Sequence, residues 1–407
     1  MSDQTQSSWL HRFAVFTAIC TLALIGLGGL VTSHGVGMSV PDWPTTYGYN
    51  MFLFPISQWI GGIFYEHTHR LVASAVGLLT AILALWLWAQ ETNGKDRRNG
   101  ILLILGILFI TGGMMGVRTA PVFIAIALAC VGGIAFGIFK IKQAYGLRWF
   151  GFVALSAVVL QGVLGGLRVT EMKDEIGIFH ATLAQLFLVL LSAIALFSSR
   201  WWQSLDSGTH PRVQTNPQVR PTEKILFRFA LATTVLILLQ LILGASMRHQ
   251  HAGLAIPDFP LAYGKIWPPT DEASIHLINQ SRNDVREFNP ITAPHIYIHM
   301  AHRITAFLIL SGVGFLAFKF WKTRLSQISL IWLGMILAQL ILGIITVLMN
   351  KPADIATAHV VLGAASLVMG AIITLVAGKI SVVGEKRIRH RVASSSVKPV
   401  SKTALTT

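Results

Sequence analysis

The sequence has little charge and almost no cysteine. Only 12% of its 407 residues are charged, 53% are hydrophobic and the mean hydropathy is +0.63. Ordinary soluble domains carry about 25% charged residues, so the composition excludes a typical cytosolic enzyme, a disordered chain and a disulfide scaffold. Cys20 and Cys130 both lie in apolar runs. A loop disulfide is therefore excluded, and a thiolate metal site is not expected.

Long runs with little or no charge take the place of a charged surface. A run of roughly 20 apolar residues crosses a hydrocarbon core of about 30 Å, and its backbone must satisfy its own hydrogen bonds there, which favours helices. Ten such runs occur, at 13–33, 71–89, 101–117, 119–139, 149–167, 176–199, 229–247, 304–318, 325–350 and 355–378. No basic segment typical of a secretory signal peptide precedes the first run, so we expect that run to be retained. The sequence predicts an all-α, polytopic membrane protein with about ten spans.

Lysine and arginine are distributed unevenly between the loops. With the N-terminus in the cytoplasm, most of them lie on the cytoplasmic side, including those of a basic tail at 379–407. The long 34–64 loop on the outer side contains none. Because positive residues favour the cytoplasmic side of a membrane, both termini are predicted to be cytoplasmic. The tail is interpreted as an anchor to anionic lipid, and nucleic acid is not an expected partner.

An internal repeat divides the chain into two related halves. Residues 12–48 align without a gap to 228–264, and further matches follow in the same order. They pair 66–70 with 299–303, 161–165 with 339–343, and His180 with His359. This duplication predicts two tandem four-helix bundles, 12–199 and 225–378, joined by a cytoplasmic linker at 200–224. The runs within 101–139 have no counterpart and are predicted to form an additional transmembrane hairpin, peripheral to both bundles.

Four histidines are paired by this repeat, His69 with His302 and His180 with His359. Each is predicted near the start of a helix that enters from the outer side, so all four are expected at a similar depth. A single membrane histidine is usually explained by a hydrogen bond between helices, but four duplicated ones favour a ligand site. Two imidazoles from two helices of one bundle suit a six-coordinate heme. Zinc is the weaker alternative, because neither half adds a cysteine or a nearby pair of carboxylates.

The charged residues beside these histidines differ between the halves. Glu66 lies three residues before His69, on the same helix face, whereas the second half has His299 at that position. This asymmetry suggests that one half holds a cofactor and the other performs chemistry. Arg70 and Arg303 directly follow the paired histidines. They are interpreted either as partners of heme propionates or as interfacial residues that reach towards water.

The loop after the first helix of each half contains Pro-Asp-aromatic-Pro, followed by Tyr-Gly. The two copies are 41–48 and 257–264. Their prolines stiffen the chain and their glycines allow a turn. They are either interfacial loops, with Trp43 in the aromatic belt, or lids that close each heme pocket.

This ordered set of residues resembles the heme A synthase family. The resemblance rests on Glu66 to Arg70, His180, His302-Arg303, His359 and the segments 37–52 and 161–168. It covers about residues 12–90 and 149–378. The chain departs from the family pattern in its additional pair of spans and in lacking the outer-loop cysteine pair of some members.

The resemblance implies an enzyme that oxidises a methyl group of heme O to formyl, through two hydroxylations and loss of water, giving heme A for cytochrome oxidase. It implies a heme b cofactor held by His302 and His359. It places the heme O substrate at His69 and His180, with Glu66 as a catalytic residue suited to proton transfer. The implied location is the bacterial cytoplasmic (inner) membrane. Expected partners are the lipid bilayer, heme O synthase, an electron donor, cytochrome oxidase assembly factors and a second copy of the chain.

Two other functions would use the same histidines. A diheme b-type electron carrier would hold two permanent hemes and exchange electrons with a quinone. A heme transporter or chaperone would bind heme without catalysis. Carriers often place two ligands on one helix and stack their hemes across the bilayer. Here the four histidines are predicted near one side, one per helix, which favours the synthase.

Overall fold

The computed structural model describes residues 8–117, 119–207, 220–282, 290–323 and 325–395, and this part of the chain is almost entirely helical. The helices are α1 (Ser8–Ser33), α2 (Gly61–Glu91), α3 (Gly94–Met115), α4 (Ala120–Gln143), α5 (Leu147–Glu171), α6 (Asp174–Phe197), α7 (Arg200–Ser207), α8 (Arg220–His249), α9 (Glu272–Ser281), α10 (Ala293–Phe320), α11 (Ser326–Leu348) and α12 (Ala353–Ser395). Two short strands, β1 (Thr45–Thr46) and β2 (Tyr49–Asn50), pair in the loop after α1. Ten of the described helices, all except α7 and α9, are long and apolar enough to cross a membrane. The predicted all-α polytopic fold is confirmed.

Helices α2 and α10 begin well before the apolar runs that predicted them. The runs start at 71 and 304, whereas the helices start at Gly61 and Ala293. Hydropathy marks the stretch that suits lipid, but a helix continues into less apolar residues until a breaker or cap ends it. His69 and His302 consequently lie inside the third turn of their helices, at 3.6 residues per turn.

Eight helices form two four-membered rings. In the first ring, α1 contacts α2, α2 contacts α5, α5 contacts α6, and α6 returns to α1. In the second ring, α8, α10, α11 and α12 contact one another in the same cyclic order. Each ring has its own apolar core, around Leu10 and Leu191 in the first and around Leu316 and Trp332 in the second. The helices that carry the paired histidines, α2 with α6 and α10 with α12, are therefore diagonal partners within their rings.

The two rings meet along α1, α6, α8 and α12. Polar contacts reinforce this junction: the Arg248 guanidinium on α8 donates to the Gly29 carbonyl on α1 at 2.8 Å and to the Ser33 hydroxyl. The Ser33 and Thr357 hydroxyl oxygens lie 3.3 Å apart. The domain boundaries stay predictions. Residues 208–219 of the linker and 396–407 of the tail lie outside the described residues.

The additional hairpin, α3 and α4, packs on the outside of the first ring. Helix α3 contacts α2, and α4 contacts α5. However, Leu108 and Gly112 of α3, and Gly116 directly after it, line a cavity between the two rings. Because a Cβ at Gly112 would meet no atom within 4 Å, the space beside α3 stays open. The hairpin therefore also borders the cavity, whereas its lack of a counterpart in the repeat had predicted a peripheral position.

The turn of this hairpin gives a test of the predicted topology. Position 118, the turn residue, lies outside the described residues, but the neighbouring Val117 is 57% exposed. With Cys20 and Cys130 replaced by alanine, Val117→Cys should react with a membrane-impermeant maleimide from the outer side. Lys95→Cys, at the exposed start of α3, should react only after the membrane is opened. The reverse pattern would overturn the topology.

The two Pro-Asp loops repeat each other in atomic detail. Asp42 accepts hydrogen bonds from the Tyr47 and Gly48 amides at 2.7 and 2.9 Å, and Asp258 accepts from Tyr263 and Gly264 at the same distances. The tyrosine and glycine of each loop have positive φ, 50° and 79° in the first loop and 54° and 70° in the second. The duplication read from the sequence therefore extends to the conformation of these loops.

Hydrogen bonding keeps the aspartates of both loops charged. Burial alone would raise the pKa of Asp42, but hydrogen bonds from Thr45, Gly48 and Tyr47 outweigh it and hold the pKa below its usual value. Burial likewise acts to raise the pKa of Asp258, but hydrogen bonds from Gly264 and Tyr263, together with the charge of Arg303, outweigh it and lower the pKa. A lowered carboxyl pKa contributes stability that is complete above the unfolded value and is lost as the pH falls through the folded one. Both loops are therefore stabilised at neutral pH.

Candidate functional site

One cavity of about 1030 Å³ extends between the two rings. Ligand pockets usually have about 300–1,000 Å³, so this one is at the upper end of that range. All seven residues predicted from the sequence line it: Glu66, His69, Arg70, His180, His302, Arg303 and His359. The structure therefore brings together residues that lie almost 300 positions apart in the chain.

In the second ring, His302 and His359 lie opposite each other. Their ring centroids are 6.5 Å apart, with an angle of 60° between the ring planes. Metal–imidazole bonds of about 2 Å place the centroids of two imidazoles on opposite sides of one metal roughly 6 Å apart. The separation of this pair fits two axial ligands of a single iron.

The first ring holds His69 and His180 on the equivalent diagonal helices. Both imidazoles are half-buried and line the cavity, and they are close enough to interact electrostatically. Among the described residues, no cluster of three or more histidine, cysteine, aspartate or glutamate side chains could hold a metal ion. Two imidazoles per ring, with space between them, suit a heme iron, which needs only two axial ligands from the protein.

A glycine on the neighbouring helix makes room for each histidine ring. A Cβ would lie 3.0 to 3.4 Å from the Cε1 atom of the facing ring in the pairs Gly28–His69, Gly165–His180, Gly244–His302 and Gly343–His359. Such distances are closer than ordinary van der Waals contact. Gly28 aligns with Gly244, and Gly165 with Gly343, so the repeat is the sequence signal that marks these four glycines.

A larger residue at one of these glycines should move the histidine ring. For Gly343→Val, we expect the heme signal of the second ring to change from low-spin to high-spin or to be lost, because the branched side chain would displace His359. Gly334→Val on the same helix is the matched control, since a Cβ there meets no atom within 4 Å. The measurement is the optical and electron paramagnetic resonance spectrum of the purified protein. Identical low-spin spectra for both variants would contradict the role assigned to Gly343.

Three of the four histidines are also held through their backbone. The side-chain amides of Gln161, Gln240 and Gln339 donate to the carbonyls of His180, His302 and His359 at 3.1, 3.0 and 2.7 Å. The repeat places Leu24 at the position of Gln240. Leu24 has no side-chain donor, so His69 lacks the contact that the other three share.

The Nδ1 atoms of the four histidines are buried and without a hydrogen-bond partner of ordinary geometry. The backbone carbonyls of Leu24, Gln161, Gln240 and Gln339 lie close to these rings. Metal-binding imidazoles commonly direct their second nitrogen at a carbonyl, which leaves the first nitrogen free for the metal. The same arrangement at all four rings fits Nε2 as the ligand atom.

Glu66 faces the cavity, but both of its carboxylate oxygens have partners. Oε1 lies 2.6 Å from Nη2 of Arg70, and Oε2 accepts from the Val40 amide at 2.9 Å. The side chain is buried, with 4% of its surface exposed. Glu66 therefore fastens the first Pro-Asp loop to α2, in addition to any role in the reaction.

Arg70 and Arg303 fasten the two Pro-Asp loops to α2 and α10. Arg70 donates to the carbonyls of Val40, Asp42 and Thr45 at 2.6 to 3.1 Å, and Arg303 donates to those of Ile256, Asp258 and Leu261 at 2.6 to 3.4 Å. Because loop carbonyls engage the Nη groups of both arginines, these contacts support a structural role. Propionate binding by Arg70 and Arg303 stays a prediction.

The fastened loops close the cavity from the predicted outer side. Trp43, Pro44 and Phe259 all contribute to its wall. The Trp43 ring lies over Gly166 of α5 and forms an edge contact with Phe123 of α4, with centroids 5.1 Å apart. These positions agree with the lid interpretation of the loops. An aromatic-belt position would instead have placed Trp43 at the lipid boundary.

Two arginines in the cavity wall were not singled out from the sequence. Arg168 is near the end of α5, and Arg248 is near the end of α8. The repeat places Thr346 opposite Arg168 and Thr32 opposite Arg248. Since each arginine occurs in one half only, comparison of the halves did not reveal them.

Comparison with known proteins places the chain in a family. Its residues 11–127 and 118–372 match a family model described as cytochrome oxidase assembly protein, COX15-CtaA. Proteins named heme A synthase are similar over most of their length. That of Shewanella oneidensis is 24% identical over 91% of this chain and 96% of its own, and that of Wolbachia pipientis wMel is 26% identical over 88% and 91%. Because the family model spans nearly all of the membrane region, the chain belongs to the COX15-CtaA family of cytochrome oxidase assembly proteins.

Proposed function

We propose that this protein is a heme A synthase, which oxidises a methyl group of heme O to formyl and so supplies heme A for cytochrome oxidase. The observation that carries the proposal is the pair of diagonal histidine sites, one in each ring, opening on a single cavity. One site suits a permanent heme and the other suits a heme substrate. The name shared by the similar bacterial proteins supports the same reaction.

Heme b is the proposed permanent cofactor, held by His302 and His359. Their 6.5 Å centroid separation fits axial ligation, and their backbone is tied by Gln240 and Gln339. When bound, this cofactor would supply one-electron redox chemistry next to the substrate site. The protein contributes a pre-arranged pair of half-buried imidazoles, which favours a stable low-spin site.

Heme O is the proposed substrate of the first ring, held by His69 and His180. Two differences from the second ring support this assignment. Leu24 replaces the glutamine that would tie the His69 backbone, so one ligand is held less firmly, as suits a group that must leave. Glu66 brings a carboxylate to this cavity wall, where the second ring has His299.

Glu66 is the proposed proton-handling residue of this site. Its carboxylate is fixed by Arg70 and the Val40 amide, so it presents a defined position rather than a mobile one. A positioned carboxylate typically contributes about 10²–10⁴-fold to a proton transfer. The same contacts also make Glu66 a positioning residue for the loop.

The cellular setting follows from the proposed reaction. We place the protein in the bacterial cytoplasmic membrane with both termini in the cytoplasm and the four histidines towards the outer side. Heme O synthase, an electron donor, cytochrome oxidase assembly factors and a second copy of the chain are the proposed protein partners. Residues 12–199 would form the substrate unit and 225–378 the heme b unit.

Pigment analysis of the purified protein tests the proposed function. The protein should be expressed with and without heme O synthase, and its hemes extracted and separated by chromatography with mass detection. We expect heme b in both cases. Heme O, a hydroxylated intermediate or heme A should appear only when heme O synthase is present. Two stable hemes b, unchanged by heme O synthase, would instead identify a diheme electron carrier.

A further inference from the structure

Two arginines lie where the two rings meet. The guanidinium groups of Arg168 and Arg248 both line the cavity there and are close enough to interact electrostatically. Hydrogen bonds to the Gly29 carbonyl and the Ser33 hydroxyl hold the Arg248 guanidinium in this position. Two partly buried cations side by side repel each other, and this cost is relieved when an anion binds between or beside them.

The Arg168 guanidinium packs against a loop but has no side-chain partner among the described residues. A Cβ at Gly37 would lie 2.9 Å from its Nη1 and 3.0 Å from its Nη2, so its guanidinium rests against the first outer loop. Within the described parts of the chain, the Arg168 side chain forms no hydrogen bond or ion pair. Glu66 and Asp174 attract it only from a longer distance. Both oxygens of Glu66 are already bound to other groups, which leaves the Arg168 fork open.

The location of Arg168 connects it to the first ring. Arg168 acts electrostatically on both His69 and His180, whereas Arg248 acts on His359 of the second ring. A guanidinium presents donors in a planar fork that matches a carboxylate. The group best suited to bind Arg168 is therefore a carboxylate of the ligand held between His69 and His180.

We propose that Arg168 binds a carboxylate of the porphyrin in the first ring, with Arg248 adding positive potential beside it. This inference rests on the proposed function of that site and assigns the contact to a residue other than Arg70 and Arg303. Two axial ligands leave a porphyrin free to rotate about the line that joins them. A third contact, to a carboxylate at its edge, fixes this rotation. Arg168 thereby determines which edge of the substrate faces Glu66.

The test compares two ligands that differ only in their carboxylates. Full-length protein carrying its resident heme is titrated with iron protoporphyrin IX and with its dimethyl ester, and binding is followed by the optical spectrum. The wild type should bind the free acid about 10- to 100-fold more tightly than the ester, as expected for a charge-assisted contact. Arg168→Gln should bind the acid as weakly as the ester and leave ester binding unchanged. Arg168→Lys, which keeps the charge but loses the fork, should be intermediate.

Lys173→Gln is the matched control, because Lys173 lies five residues further on, is exposed and stands outside the cavity wall. It should discriminate between acid and ester like the wild type. The resident heme spectrum reports whether each variant is folded. The proposal is wrong if Arg168→Gln keeps the preference for the acid, or if it weakens acid and ester equally. Binding of these ligands by the wild type should also depend on His69. If it does not, the substrate site of the proposed function is wrong, and the role of Arg168 is wrong with it.

Discussion

Replacing His302 or His359 by alanine is expected to remove the low-spin heme b from the purified protein. Each histidine supplies one of the two imidazoles that face each other at 6.5 Å, so either change leaves at most one axial ligand. Loss of even an outer-shell partner costs about 10- to 100-fold in metal affinity, and loss of a ligand should cost at least as much. Extracted heme per protein and the low-spin spectrum are the measurements.

His276→Ala is the matched control for these variants. His276 lies on the short helix α9, is exposed and stands outside the cavity wall, so its loss should leave bound heme unchanged. His69→Ala and His180→Ala extend the comparison to the first ring. They should keep heme b and lose bound heme O. Normal low-spin heme b in both the His302 and the His359 variant would remove the cofactor assignment.

Glu66→Ala is expected to stop heme A formation while heme b stays bound. Heme O or a partly oxidised intermediate should accumulate, because the carboxylate beside the substrate site is lost and the second ring is untouched. The expected fall in rate is about 100-fold or more, within the range attributed to a positioned proton-transfer group. The measurement is the ratio of heme A to heme O in membranes that contain heme O synthase. A wild-type rate of heme A formation in this variant would rule out a catalytic role.

The ion pair with Arg70 makes a second comparison necessary. Glu66 could act in the reaction, or it could act only by holding Arg70 and the loop amide of Val40. If Glu66 acts only by holding Arg70 and the loop, Glu66→Gln and Arg70→Gln should lower the rate equally, and the double variant should be no slower than either single variant. If Glu66 acts in the reaction, Glu66→Gln should lower the rate more than Arg70→Gln does. Arg303→Gln, in the ring without the carboxylate, controls for general loosening of a loop.

The sequence predicted the parts of this molecule that repeat. Ten apolar runs and the ordered matches between the halves placed His69, His180, His302 and His359 on helices that the structure brings to one cavity. The ten spans were predictable because hydropathy reports lipid contact directly. The ligand roles of the four histidines stay predictions, which rest on the cost of placing duplicated histidines in apolar regions.

Other features depended on the path of the chain in space. The sequence showed Arg70 and Arg303 beside histidines, but only the folded loops show that carbonyls of Asp42 and Asp258 receive their hydrogen bonds. Arg168 and Arg248 were missed for the opposite reason, since the repeat offers threonine at the equivalent positions. A search limited to duplicated residues overlooks whatever distinguishes the two halves, and the chemistry of two unlike sites depends on those differences.

Conversion of heme O to heme A is the measurement that tests the central claim most directly. The chain should be expressed in a bacterial strain that makes heme O but lacks heme A synthase activity, and the membrane hemes should be separated and identified by mass. We expect heme A to appear with the wild-type chain and to be absent with His69→Ala or His180→Ala, although heme b remains bound in both variants. Membranes that contain the folded wild-type protein, heme O and no trace of heme A or its hydroxylated precursor would contradict the account.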